Sequence, residues 1–412
     1  MPRSRVADYS TGIAGGHRSV VSLHSHSHHS KEVLRFLPAW ADGIPVLGPL
    51  VRREMAKSEA RVGRQPDFSK AYWVPPFGAS EVFESERQQI AARFDLPPIV
   101  AITDHDTIAG CLELRDLGLA DEVVLSVEWT VAYRGSHFHL GVHNMHAELA
   151  PAMSREFEAY RRTLDESRLA ELLAWVNGQR ETLIVLNHPL WNSNANYDQN
   201  AETLGAFLQA YRPFLHATEV NGYRSFAENR AVIALARDWQ LPLVAGGDRH
   251  GRMPNALLNL SQATTFAEFV DEVRRDQRAD IVVLPAYREH PAVRVIEIVS
   301  DVLRPARPGE PGQRPWMERV VLIHDDGIAR PIVNQWGGGR CPWWVWACVR
   351  MACALGGATG RRALGAVLAS QREPLVLPED VQYPATRHVA ETAAGGSSSA
   401  GFRPVSATAA GD

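Results

Sequence analysis

Pro98-Ile99-Val100-Ala101-Ile102-Thr103-Asp104-His105-Asp106 runs an apolar, partly β-branched segment straight into a cluster of ionisable side chains. Such a run reads as a buried strand that delivers its polar residues at its C-terminal end. The pattern occurs twice more, with Val20-Val21 ahead of His24-Ser25-His26 and Leu241 to Ala245 ahead of Asp248-Arg249-His250. Side chains alternate faces on an extended backbone, so His24 with His26, and Asp248 with His250, are expected to point the same way. Neutral imidazole and carboxylate suit zinc, manganese and iron, and gathering them from distant segments is how a fold builds an open metal site. Thirteen of the 16 histidines precede residue 251. Histidine is only intermediate in burial preference, so packing alone does not call for that crowding.

Outward from these clusters the chain alternates strand and helix patterns. Arg18 to Leu23, Pro98 to Thr103, Leu183 to Leu186, Ala217 to Val220 and Leu241 to Ala245 read as short strands. Ser80 is placed to cap a helix with Phe83, Ile90, Ala91 and Phe94 on one stripe, and Ser154 to Asn177 carries a second helical pattern that stops at Gly178. Alternation of this kind argues for an α/β fold with a parallel sheet, and barrel enzymes keep their chemistry at the C-terminal strand ends where these ligands fall. Val123 to Asn144 reads differently, as two extended runs meeting at Arg134-Gly135-Ser136. His137 and His143 share the parity of His139 there, either as outer partners of ligands or as rim histidines.

At 412 residues with a net charge of -4 the chain is long enough for one large domain plus an appendage, and it shows no strong basic patch of the kind that marks a nucleic-acid partner. Its basic residues are almost all arginine, the lysines being Lys31, Lys57 and Lys70. Cys111, Cys341, Cys348 and Cys353 form neither a CxxC pair nor a disulfide framework. No signal-peptide core follows Met1-Pro2-Arg3-Ser4-Arg5-Val6, and a cytoplasmic protein is expected.

Motif by motif, residues 18 to 285 resemble the polymerase and histidinol phosphatase (PHP) family of metal-dependent phosphoesterases. The matches are His24 and His26 in Leu23-His24-Ser25-His26-Ser27, His105 in Thr103-Asp104-His105-Asp106-Thr107, Glu128 in Ser126-Val127-Glu128-Trp129, His139 in His139-Leu140-Gly141-Val142, His188 in Asn187-His188-Pro189, and Asp248 and His250 in Gly246-Gly247-Asp248-Arg249-His250-Gly251. The resemblance implies a distorted seven-stranded (β/α) barrel, two or three divalent ions (zinc, manganese or iron), and Glu128 bridging two of them. Where the family places an acidic turn residue after the first pair, this chain has Ser30-Lys31-Glu32. That implies two tightly held metals and a weak or absent third, unless Glu32, His28 or His29 takes the role. Asp248, His250 and Asp104 are the candidate catalytic residues, with Asp104 either orienting an imidazole or capping a turn. Arg249, turned from the ligand face but near the rim, and Arg224 are the candidate phosphate contacts. Asn192, Asn194 and Asn196 lie on a neighbouring predicted loop.

Residues 1–17 read as an N-terminal extension, and 31–79 as an insertion acting as a lid or as a packing appendage. Residues 286–390 read as a small C-terminal appendage, with a linker from Pro305 to Pro315, a hairpin from Arg319 to Asn334 turning at Asp325-Asp326-Gly327, and an apolar helix over residues 341–355. That helix is too short for a span; it is expected to pack on the barrel, although tryptophan with flanking arginine permits an interfacial contact. Residues 391–412 read as a disordered tail. A multinuclear metal site activates water and neutralises charge developing on a phosphoryl oxygen, so a phosphoester hydrolase is expected. Its substrate would be a small phosphorylated molecule such as a sugar phosphate, an amino alcohol phosphate, a nucleotide or a short oligonucleotide end. The alternatives are a barrel that only binds a phosphorylated ligand or partner, or a hydrolase of a non-phosphate ester or amide.

Overall fold

The computed structural model describes residues 2–11, 16–35, 37–42, 47–63, 65–191, 197–304, 314–324, 326–369 and 380–381. Asn192, Asn194, Asn196, Asp325, most of the 305–315 linker and the tail lie outside the described residues. The chain is a mixed α/β fold, and its described strands fall into three sheets rather than one closed barrel.

The first sheet has six strands in the order Asp380–Val381, Arg3–Asp8, Arg278–Val283, Leu257–Ser261, Ser19–Ser22 and Pro98–Val100. Arg3–Asp8 runs parallel to Arg278–Val283, so the N-terminal segment completes a sheet. The second has five strands in the order Leu243–Gly246, Ala217–Asn221, Leu183–Asn187, Ser136–His143 and Val127–Tyr133. Its two parallel pairs meet an antiparallel hairpin in which Glu128 lies opposite Gly141 and His139 opposite both Thr130 and Asn187. Isolated parallel bridges, Ser25 to Arg249, Ala101 to Val124 and His105 to Glu128, connect segments that continue from the two sheets.

Ser19–Ser22, Leu183–Asn187, Ala217–Asn221 and Leu243–Gly246 are buried on both faces. The main core gathers Trp129, Phe157, Tyr160, Leu169, Leu172 and Phe207, with the Trp129 and Phe157 rings stacked at 4.2 Å between centroids. Three local expectations change, the first being that Ser80 lies inside the helix Ala79–Arg93, whose N-cap is Gly78. The segment from Ser154 is two helices, Ala150–Thr163 and Glu166–Gly178, because exposed Leu164 turns left-handed (φ 55°) and Asp165 caps the second by accepting from the Ser167 N–H. In the helix Ala79–Arg93, Phe83 and Ile90 are buried, as is Phe94 just past its end, but Ala91 is exposed. Glu86 and Gln89 go inward instead, because both find buried polar partners in the segment after the last ligand pair.

The third sheet, ordered Ala329–Pro331, Val320–Ile323, Ala71–Trp73 and Glu32–Val33, joins the 31–79 insertion to the C-terminal segment. Leu34, Ala71 and Leu322 make its small core. The hairpin expected after Arg319 forms as Val320–Ile323 against Ala329–Pro331. The apolar helix spans Trp343–Leu355 and lies against Pro291–Leu303, close enough that a Cβ on Gly356 would collide with Ser300. None of its residues is fully buried, and among the described residues no helix is long and apolar enough to cross a membrane.

Candidate metal centre

The ligand-bearing segments begin where the strands end. Ser19–Ser22 stops two residues before His24, Leu183–Asn187 one before His188, and Leu243–Gly246 two before Asp248. These three residues take left-handed backbones, with φ of 67°, 25° and 49°. Non-glycine residues rarely do so, at a cost on the order of 1–3 kcal/mol each, and such strain tends to collect at functional sites. The strand alternation expected for His24 with His26 and for Asp248 with His250 therefore does not hold as stated. A left-handed step just past the strand end directs each side chain inward.

What holds the turns is a mesh of backbone bonds between the ligand segments themselves. The His26 N–H donates to Arg249 O (2.8 Å), Thr103 N–H to Ser25 O (2.8 Å), Asp106 N–H to Glu128 O (2.9 Å) and Gly247 N–H to Leu23 O (3.2 Å). Glycine is required at two of these points, since a Cβ on Gly246 would land on the Glu219 carboxylate and one on Gly247 on the Asn255 amide.

The donors then converge. His24, His26, Glu128 and Asp248 form one group, His105, Glu128 and His139 a second, and His26, Glu32, His105 and His250 a third. Glu128 sits between the first two: its Oε2 lies 3.0, 3.3 and 3.3 Å from His24 Nε2, His26 Nε2 and His105 Nδ1, and its Oε1 lies 3.3 Å from His139 Nδ1 and 3.1 Å from His188 Nε2. Glu32 joins the other side, with Oε2 3.1 Å from His105 Nε2 and Oε1 3.1 Å from His250 Nε2. Yet His24 Nε2, His26 Nε2, His105 Nδ1, His139 Nδ1, His250 Nε2 and Glu128 Oε2 are all buried without an aligned hydrogen-bond partner. Buried polar atoms are seldom left so, and donors about 3.0–3.5 Å apart are what bonds of about 2.0–2.2 Å to a shared ion would produce. The residues fit divalent metals.

The electrostatics agree. Burial disfavours the charged Glu128 carboxylate, but His24, His105 and His139 around it hold it well below the usual range. Burial likewise opposes charge on His105, yet Glu32 and Glu128 push its pKa up to about 10. His139, where burial prevails over Glu128, falls to about 4.

Around the donors, hydrogen bonds fix the rings. Glu219 Oε1 lies 2.7 Å from His24 Nδ1, and Glu219 Oε2 accepts from the His188 N–H (2.9 Å) and the Asn221 amide (3.2 Å). The Asn187 amide donates to Glu128 Oε1 (3.0 Å), and His250 Nδ1 lies 2.8 Å from Asp248 O. Each leaves the opposite ring nitrogen or carboxylate oxygen facing the centre. Glu219, which with His24 and His188 makes a further donor group, was not among the expected ligands. Its signal was a lone charge inside a strand otherwise fit for full burial, and the strand is buried throughout.

Other expected residues land elsewhere. Asp104 orients no imidazole; it is buried and accepts from the Ser27 N–H (2.6 Å) and hydroxyl (2.8 Å), pinning the loop just after His26, and burial raises its pKa. Arg249 does not reach the rim. It is buried, with Nη1 3.1 Å from Glu86 Oε1 and donating to Val82 O, while Nε and Nη2 donate to Gly251 O (2.9 Å) and Arg252 O (3.1 Å). Five fixed donors among carbonyls and one carboxylate make it a clamp between the ligand loop and the helix Ala79–Arg93. Arg224 does reach the centre, with Nη2 3.0 Å from Asp248 Oδ2 and its guanidinium over the Trp191 ring. His28 and His29 turn from the cluster to Glu113, at 3.4 and 2.7 Å. His143 is buried but belongs to none of the donor groups, and burial lowers its pKa to about 3.

No family model matches the sequence, and no curated protein matches it. Among solved structures, an amidohydrolase from Chromobacterium violaceum with bound sulfate and no metal aligns at 15% identity and a TM-score of 0.32, over 56% of this chain and 87% of its own. A protein from Bifidobacterium adolescentis, provisionally assigned as a metal-dependent phosphoesterase, aligns at 15% identity and a TM-score of 0.31, over 48% of this chain and 91% of its own. Neither likeness, at that level, bears on what this chain does.

Proposed function

We propose that this chain is a metal-dependent hydrolase of phosphoesters, holding two or three divalent ions of zinc, manganese or iron through His24, His26, Glu32, His105, Glu128, His139, His188, Asp248 and His250. The observation that carries it is the set of buried donors that face one another without hydrogen-bond partners. A distorted seven-stranded barrel is part of the reading, and what supports it is the isolated bridges from Ser25 to Arg249, Ala101 to Val124 and His105 to Glu128, which link segments outside the named strands.

When bound, such ions supply an activated water and neutralise charge on the reacting oxygen. The chain's own groups do the rest. Glu219 and the Asp248 carbonyl are placed to accept hydrogen bonds from Nδ1 of His24 and His250, the tautomer that turns both Nε2 lone pairs toward the centre. Asn187 and the imidazoles around it keep Glu128 ionised. Arg224, held against Asp248 and backed by Trp191, places a guanidinium in contact with one of these carboxylates and suits an anionic oxygen in bidentate geometry. It favours a phosphorylated small molecule over a neutral ester.

The test is metal analysis of the purified protein together with turnover on phosphomonoesters, phosphodiesters, carboxylic esters and amides. Two or three equivalents of metal and turnover confined to phosphoesters are expected. Metal-replete protein with no phosphoester turnover, or with faster cleavage of amides, would refute the assignment.

A further inference from the structure

We propose that the helix Trp343–Leu355 docks this protein, side-on, to an anionic lipid surface. The helix is about 20 Å long by its rise per residue, and its exposed positions are Trp343, Trp346, Ala347, Arg350, Met351, Ala354 and Leu355. At 100° per residue these fall on one face, while Trp344, Val345, Cys348, Val349, Ala352 and Cys353 share the other and are partly covered. Trp343 is 78% exposed, Met351 60% and Trp346 57%. Large apolar side chains in a contiguous stripe are unusual on a surface that meets only water, and mark a place where something binds.

Charge names the occupant. From Gly327 to Arg372 the sequence contains no aspartate or glutamate, in a chain that has 47 of them. Arg340, Arg350, Arg361 and Arg362 flank or lie within the two final described helices, Trp343–Leu355 and Ala358–Val367. Arg361 is paired with Glu297, but Arg350 lies on the exposed face itself with its guanidinium over the Trp346 ring. A protein that carries a net charge of -4 therefore presents here a tryptophan-bearing face whose own segment supplies basic and no acidic side chains. Tryptophan sits at headgroup depth with its ring in the apolar layer and its N–H in the wet one, and arginine can lay its stem along apolar surface while its head meets a lipid phosphate. A second copy of this chain would instead set arginine against arginine across a two-fold axis, which works against self-association.

The probe is sedimentation of the full chain with vesicles of phosphatidylcholine alone and of phosphatidylcholine with phosphatidylglycerol, at low and high salt. Binding to the anionic vesicles is expected to exceed binding to neutral ones by at least tenfold and to weaken with salt. Trp343→Ala with Trp346→Ala should reduce it tenfold or more. Arg350→Glu should reduce it by at least about fivefold, the weight of one basic residue at such a surface. All these side chains are exposed, so the variants should keep wild-type circular dichroism and metal content, separating this test from that of the catalytic reading. Equal binding to neutral and anionic vesicles, no binding to either, or unchanged binding by the variants would overturn the proposal. So would light scattering that shows a dimer abolished by the tryptophan substitutions.

Discussion

Replacing Arg249 measures how the candidate ligand loop is held. The guanidinium meets Glu86 and donates to three backbone carbonyls, all in a buried setting, and Glu86 Oε1 also accepts from the Asn255 N–H at 2.9 Å. Arg249→Ala leaves an acid buried without its counter-charge, which costs about 3–5 kcal/mol. Arg249→Lys keeps the charge but offers a compact ammonium in place of the fork, so about two or three of these bonds are lost at about 1 kcal/mol each. Adding Glu86→Gln to Arg249→Ala should recover part of the loss, because the uncompensated charge then disappears. Urea denaturation of the three variants reads these differences directly. In Arg249→Lys, at a temperature where it is fully folded, the Michaelis constant for a phosphoester should stay within about twofold of wild type, as expected for a group with no substrate contact. A loss below about 1 kcal/mol in Arg249→Ala, or a selective rise in the Michaelis constant for phosphorylated substrates in Arg249→Lys, would refute the clamp and restore Arg249 to the substrate side.

His216 gives a pH test away from the ligands. Burial first, then Arg274 and Arg212, hold its pKa down to about 3, and its Nδ1 accepts the Ile184 N–H at 2.9 Å. Because the folded value lies below the unfolded value of about 6.5, the unfolded chain binds the extra proton. The associated stability is therefore present above about pH 6.5 and is lost as pH falls toward 3; relative to His216→Gln, wild type should lose about 2 kcal/mol between pH 7 and pH 5 by denaturant titration. His24→Ala with His26→Ala should abolish phosphoester turnover and strip most bound metal, read by elemental analysis, with the fold largely kept. Glu32→Gln should lower metal occupancy by about one equivalent rather than all, since Glu32 serves only the group shared with His26, His105 and His250. Gly246→Ala, whose new methyl would displace the Glu219 carboxylate, should cost about 1–3 kcal/mol and reduce metal content as well.

The parts legible in the sequence were those whose chemistry is local. Imidazole and carboxylate pairs behind short apolar runs located His24, His26, His105, Asp248 and His250 without reference to tertiary structure, and the turn at Arg134-Gly135 located the hairpin that carries Glu128 and His139. The geometry by which they meet was not legible, because alternation presumes an extended backbone and His24, His188 and Asp248 leave it for the left-handed region. Arg249 was misplaced for a related reason: its neighbours suggested a rim, whereas its partners Val82 and Glu86 lie more than 160 residues away. Glu219 lies inside a strand and away from the strand-end clusters, and the break at Leu164 falls within a helical period that continues across it. Pairing between Ala71–Trp73 and Val320–Ile323 spans some 250 residues and leaves no short-range trace.

That last pairing changes what counts as a self-contained unit here. Glu32 stands opposite Trp73, Trp73 opposite Val320, and Val321 opposite Pro331, so one carboxylate of the centre is carried on a ribbon whose outer half comes from the far end of the chain. A two-stranded ribbon of this length is marginal by itself in water. The centre is thus not a cassette that ends where its ligand motifs end. Any insertion, cleavage or partner that loosens the pairing of Val320–Ile323 with Ala71–Trp73 acts on Glu32 through the sheet, giving a segment with no candidate ligand of its own a mechanical hold over where that carboxylate sits.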